Sequence, residues 1–354
     1  MDIRGVLQTA VDRKASDIFI VAGMPLSYKV GGIIEYQEED KLSPVQIEKL
    51  IEGLYEEAQH RSMKKIQEEG DDDFSFAIKD LSRFRANVFR QRGSLAAIIR
   101  VITFELPNYE QLHLPRTIID VAKMTKGLVL VTGPAGSGKS TTLACIINEI
   151  NKTRNAHVIT LEDPIEYLHR HDKSVVSQRE IGTDTESYVT GLRAALRQAP
   201  DVILLGEMRD YETIKTAMTA AETGHLVIST LHTVGAANTM DRIIDSFPPE
   251  QQQQIRVQIS MVMEGVISQQ LIPTLQGGVQ PAFEIMFFNN AIRNMIRESK
   301  IHQIDNVIAT SQKEGMVSMD ASLIQLYQKG IISKDDAIIH SNNSELMAKK
   351  IERL

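Results

Sequence analysis

The sequence predicts an α/β protein, with a smaller α+β region ahead of a domain built on a mostly parallel sheet. Three observations carry that expectation. From Ile118 onward the apolar runs GLVLVTG, AHVITLED, DVILLGE and HLVISTLHT alternate with helical stretches, as strands covered on both faces by crossover helices do. Before that point, polar and apolar positions alternate around Gly and Pro turns. Gly133 to Ser140 fits G-x-x-x-x-G-K-[ST], and it lies between a strand and a helix, the context that gives this pattern its meaning. At roughly 150 residues per domain, 354 residues suggest two domains. We place them at residues 1–105 and 118–354, joined by a linker at 106–117 that Pro107 and Pro115 bracket.

In chain order, Ile3 to Val11 carries apolar residues at helical spacing, and Asp17 to Val21 reads as a short strand. Gly23, Pro25, Gly31 and Gly32 punctuate the strands that follow. Ser43 as cap and Pro44 in the first turn open a helix expected to run to about Gln67. The acidic run Glu68 to Asp73 reads as a solvated loop, and Phe74 to Ile78 alternates as a strand. Residues 83 to 102 read as a hairpin. A turn at Arg92-Gly93 makes Arg85 face Arg100, whereas a turn at Gly93-Ser94 makes them diagonal neighbours on one face. Like charges so placed call for an anion between them, either a carboxylate or a phosphate. The tail beyond about Pro248 reads as mainly helical.

Composition narrows the function classes. Apolar residues at 42% are enough for a sizeable core and exclude wholesale disorder. With 39 basic and 46 acidic residues the net charge is −7, which gives no sequence-independent attraction to nucleic acid. One cysteine, Cys145, excludes a disulfide framework and a cysteine-based zinc site. No apolar run approaches the roughly 18 residues of a membrane span. The N-terminus lacks a signal peptide's apolar core, so a cytoplasmic protein without a transmembrane segment is expected.

The candidate nucleotide site is Gly133, Pro134, Ala135, Gly136, Ser137, Gly138, Lys139 and Ser140, with Thr141 opening the helix. Glycines let backbone N–H groups converge on phosphate oxygens, and a helix N-terminus favours the anion. Lys139 is expected to reach the β- and γ-phosphates of ATP, and the Ser140 hydroxyl to bind Mg²⁺. Glu207 ends an apolar strand, as a metal-holding Walker B carboxylate does, though many such proteins carry aspartate there. Glu162, Asp163 and Glu166 crowd the end of another strand. Either Glu162 or Glu166 suits the orienting of an attacking water, and a solvated acidic loop reads the same way. His225 and His232 flank a further strand at a spacing that does not suit zinc. His232 lies at the carboxyl end, where it can sense a γ-phosphate.

The segments GPAGSGKS, ITLEDPIEYLH, APDVILLGEMRD and TGHLVISTLHT together resemble the Walker A, Asp box, Walker B and His box of the type II/IV secretion ATPase superfamily. Ala291 to Glu298 (AIRNMIRE) resembles the AIRNLIRE motif of PilT-type pilus retraction ATPases, and the likeness covers nearly the whole chain. The resemblance implies a PAS-like N-terminal domain and a RecA-like P-loop motor domain with a helical C-terminal region. It also implies a homo-hexamer that couples ATP hydrolysis to pilus retraction and twitching motility. By position it implies Glu166 as catalytic glutamate, Glu207 as Walker B carboxylate and Mg²⁺ ligand, Arg85 and Arg100 as arginine fingers, and His225 and His232 as the His box. The implied partners are an inner-membrane pilus platform protein and the pilus machinery, at the cytoplasmic face of the membrane. The competing outputs are pilus assembly or type II secretion, and an accessory role beside a retraction motor. Assembly relatives typically add a longer N-terminal region and a four-cysteine metal element. Ala199 departs from the family, whose members often carry aspartate there.

Overall fold

The computed structural model describes residues 2–102 and 106–353, apart from the side chains of Glu38 and Glu39. The expected domain end at 105 lies outside the described residues. The chain divides into two compact units, Met1–Glu105 with Ile165–Leu168, and Leu106–Pro164 with His169–Leu354.

The first unit is a six-stranded antiparallel sheet: β1 (Asp17–Ile20), β2 (Pro25–Val30), β3 (Ile33–Lys41), β4 (Asp71–Ile78), β5 (Ser82–Gln91) and β6 (Ser94–Ile102). Their order is β3-β2-β1-β6-β5-β4. Helices Ile3–Asp12 and Pro44–Glu57 supply Leu7, Ile47 and Ile51 to a core shared with Ile18, Phe84 and Ile99. Ser43 and Gln46 cap the second helix reciprocally, the Gln46 side chain accepting from Ser43 N at 2.8 Å. This helix stops ten residues before the expected Gln67. Gln59 and His60 both take left-handed backbone (φ 58° and 56°), which no α-helix continues through, and a separate short helix follows at Lys64–Glu69.

The acidic run is not a solvated loop. Glu68 and Glu69 end that short helix, and Asp71 to Asp73 begin β4. Asp72 is 1% exposed; it accepts from Arg61 Nε and Nη2, each at 3.0 Å, and from the Tyr55 hydroxyl at 3.0 Å. The distant arginine is what makes burying this carboxylate tolerable.

The β5–β6 turn is Arg92-Gly93, with φ of 48° and 81°, the doubly left-handed geometry that matches strand twist in a two-residue hairpin. Arg85 therefore faces Arg100. Carboxylates on flanking strands answer the charge: Arg85 donates to Asp73 at 2.9 and 2.6 Å, and Arg100 to Asp17 at 3.2 Å.

The second unit is a seven-stranded sheet: β7 (Gly127–Thr132), β8 (His157–Glu162), β9 (Val175–Glu180), β10 (Val202–Leu205), β11 (Leu226–Leu231), β12 (Met263–Pro273) and β13 (Val279–Phe287). The order is β13-β12-β7-β11-β10-β8-β9, with only the β12–β13 pair antiparallel. β7, β10 and β11 are buried at nearly every position, which explains their unbroken apolar runs. The tail differs from the expected helical one. Helix Pro249–Val262 passes directly into β12, Met263 taking extended backbone with no Gly or Pro to mark the change. C-terminal helices then pack Met319, Leu323, Ala337 and Met347 with Ile272 and Ala282 of the hairpin. Ala199 sits at φ 51°, a conformation in which aspartate is the less strained residue, so the departure from family pattern is local to this turn.

Candidate functional site

Parallel strands deliver side chains of like role to one edge of the sheet, and here the carboxyl edge collects most of the expected residues. β7 ends at Thr132, and the loop to helix Lys139–Thr153 turns through Gly133, Gly136 and Gly138 at φ of 143°, 75° and 86°. A Cβ at Gly133 would collide with the backbone carbonyl oxygen of Gln269, and one at Gly138 would sit 2.8 Å from Gln269 Nε2. Gln269, on β12 and 2% exposed, also accepts from the Thr142 hydroxyl at 2.7 Å. Gln269 is thus the floor of the loop, and it fixes why those two positions are glycine. Sequence reasoning missed it, since its partner is 127 residues away and only the β12 pairing brings them together.

Within the loop Lys139 is 9% exposed, and its ammonium donates to the carbonyls of Gly133 and Pro134, each at 2.9 Å. The Ser137 hydroxyl is buried and, among the described residues, without a hydrogen-bond partner, a donor left over in the loop. Ser140 and Thr141 occupy the first turn of the helix, partly exposed beside it.

Glu207 follows β10 with its side chain 12% exposed. One oxygen pairs with Arg209, and the other lies 3.3 Å from His232 Nε2. The Thr230 hydroxyl donates to Gly206 O at 2.6 Å, and Met208 N to Thr230 O at 3.1 Å, which holds the β10 and β11 exits together. Beside them, burial and then the charges of Glu207 and Asp163 push the Tyr188 phenol upward, so it stays neutral. A cavity of about 350 Å³ opens here, lined by Glu207, Arg209, Thr230, His232, Arg242 and Ser246.

Glu162 ends β8, where Thr160 Oγ1 donates to it at 2.6 Å and Gln178 Nε2 at 3.3 Å. Gln178 also accepts from His169 N at 2.8 Å. Burial pushes the His169 imidazole down to about 4. His225 is placed apart from this edge. It precedes β11, at the amino end, and its ring meets Ala220 O at 3.0 Å and Thr223 Oγ1 at 3.1 Å. Seven residue steps at about 3.3 Å each separate it from His232 by roughly 23 Å along β11. Glu166, exposed, belongs with the first unit through Ile165–Leu168, and Arg85 and Arg100 lie in that unit as well.

Among the described residues no cluster of three His, Cys, Asp or Glu could cage a metal. Ser140 in the first turn after the loop and Glu207 after β10 bring one hydroxyl and one carboxylate to the same sheet edge, the donor types that Mg²⁺ uses when phosphates and waters complete its shell. Among the described residues no helix is long and apolar enough to cross a membrane.

Comparison with known proteins identifies the family and the fold. The model of the type II/IV secretion system protein family matches residues 1–314. The chain is 42% identical to the type IV pilus retraction ATPase PilT of Pseudomonas aeruginosa, over 95% of its own length and 97% of that protein. It is 42% identical to a twitching motility protein of Neisseria gonorrhoeae, over 98% of its length and 92% of that protein. Among solved structures, a pilus retraction motor PilT with bound ADP superposes with a TM-score of 0.89 at 44% identity, covering all of both chains.

Proposed function

The chain belongs to the type II/IV secretion system protein family, and from that premise we propose that it is an ATPase that drives pilus retraction and twitching motility. The observation that carries the reading is the arrangement at the carboxyl edge. A complete phosphate loop lies at the same sheet edge as Glu207 and His232, on a chain that matches retraction motors end to end.

The chemistry follows from what each group can do. The Lys139 ammonium rests on two loop carbonyls; phosphates offer it stronger, charged acceptors, so it would turn to them on nucleotide binding. The loop amides and the Ser137 hydroxyl donate to the same anion. Ser140 and Glu207 would hold Mg²⁺, and Arg209 then has to leave the Glu207 carboxylate. Bound there, the ion would supply positive charge opposite the transferring phosphoryl group. To His232, against the other Glu207 oxygen, we assign the sensing of a γ-phosphate.

Of the two glutamates read as water-orienting, Glu162 has one oxygen already taken by Thr160 and Gln178, which suits support of the edge. Glu166 is exposed and is assigned the catalytic role. We assign Arg85 and Arg100 to charge stabilisation on nucleotide held by a neighbouring subunit of a homo-hexamer. Their present carboxylate partners, Asp73 and Asp17, keep them ordered until then. Work on a membrane-anchored filament calls for recruitment to the cytoplasmic face of the inner membrane by a pilus platform protein.

Glu166→Ala tests the assignment. ATP binding is expected to stay within about twofold of wild type while turnover falls by at least about 10²-fold. Wild-type turnover in that variant would contradict it.

A further inference from the structure

Glu284 is a buried carboxylate that the reading above does not use. It lies in the middle of β13, is 2% exposed, and faces Ser268 of β12. Such a group is costly inside a protein unless donors surround it. Three do: Ala236 N at 2.7 Å on one oxygen, and Met319 N at 3.4 Å and Asn342 Nδ2 at 3.2 Å on the other. Burial raises its pKa, and these donors oppose the rise.

The first of these donors ties Glu284 to the site. Helix Ala236–Asp245 begins four residues after His232, and its N-cap residue, Gly235, has no side chain to satisfy the free amides. Those amides are served from the sheet below, Gly235 N by the Ser268 hydroxyl at 2.9 Å and Ala236 N by Glu284. The helix also lines the 350 Å³ cavity through Arg242. The His232 loop is therefore anchored at its far end by β12 and β13. The second oxygen of Glu284 reaches the start of helix Met319–Gln328 and the Asn342 turn in the C-terminal layer.

We propose that Glu284 is a positioning residue for His232: by holding the first amide of helix Ala236–Asp245, it fixes the loop that sets His232 against Glu207. Its second oxygen makes the C-terminal helices part of that support. The inference rests on the ATPase reading for its catalytic consequence, and on geometry alone for the anchoring.

The test uses Glu284→Gln in the full-length protein, which presents an amide N–H₂ to at least one existing donor. ATP affinity is expected within about twofold of wild type, with kcat lower by about tenfold or more. Added to His232→Ala, this change should cost no more than about a further twofold, because both changes remove the same action. Full additivity of the two losses, or an unchanged kcat, would overturn the proposal. Hydrogen exchange supplies a readout that needs no turnover. Amides in residues 232–242 should exchange about tenfold faster in Glu284→Gln while those of 133–141 stay as in wild type. Unchanged protection at 232–242 would refute the anchoring even in a protein that hydrolyses nothing, whereas absent turnover in wild type would refute only the ATPase reading. Should Glu284→Gln fail to fold, Ser268→Ala removes the neighbouring acceptor alone. It is expected to show the same non-additivity with His232→Ala at about a threefold loss of kcat, and additive losses there would overturn the proposal equally.

Discussion

His225 and His232 bound the same strand, β11, and end in different surroundings. At the amino edge of the parallel sheet two histidines have their rings spent on closing loops. The His225 ring meets Ala220 O and Thr223. The His157 ring lies 2.9 Å from Gln198 O and 3.0 Å from Ser177 Oγ, and Asp201 accepts from His157 N at 2.8 Å. At the carboxyl edge the same residue types face one another instead. Lys139 rests on weak neutral acceptors, Ser137 has a buried hydroxyl with no hydrogen-bond partner among the described residues, and Glu207 is shared between Arg209 and His232. Residue type alone does not separate these sites; strand direction does, because it decides which loops converge.

Breaking the carboxyl edge at its strongest point should give the largest effect. Lys139→Ala removes the only ammonium of the phosphate loop, and ATP turnover is expected to fall by at least about 10²-fold, measured as phosphate release. The comparison itself is tested next. His232→Ala should lower kcat by about 10- to 100-fold with little change in folding. His225→Ala should leave kcat within about twofold and cost on the order of 1 kcal/mol of stability, read from urea midpoints. Equal kinetic losses from the two histidines would erase the distinction drawn between the edges.

The last contrast is a pH dependence behind the carboxyl edge, read in stability rather than in turnover. The folded His169 imidazole titrates at about 4 against an ordinary value of 6.5, because burial disfavours its charged form. The unfolded chain therefore binds the proton first as pH falls. The stability this group contributes is complete above 6.5 and is lost progressively as pH drops from 6.5 toward 4. At pH 5 that loss is about 2 kcal/mol. Denaturation at pH 7.5 and pH 5 should show it in wild type, and His169→Leu should remove the difference.

Much of this edge was legible in the sequence, and the reasons are local. The phosphate loop carries its own signature, and the apolar strands ending in Glu162, Glu207 and His232 announce both strand and carboxyl end. Hairpin arithmetic put Arg85 and Arg100 on one face, either opposite or diagonal, and the Arg92-Gly93 turn decides for opposite. What escaped depends on distant partners. β12 follows a helix with no breaker between them, so its start leaves no mark. Gln269 and Glu284 matter only through Thr142, Ala236 and Met319, far along the chain. Asp72 looked like one more solvated acid until Arg61 reached it. The premature end of helix Pro44–Glu57 rests on two left-handed residues, Gln59 and His60, that are neither Gly nor Asn.

The central claim, that this chain drives retraction, meets its most direct test in a deletion strain scored for piliation and surface motility together. Retraction predicts cells with excess pili that cannot crawl, restored by the wild-type chain and not by Lys139→Ala. A bald strain, or motility restored by Lys139→Ala, would contradict the account.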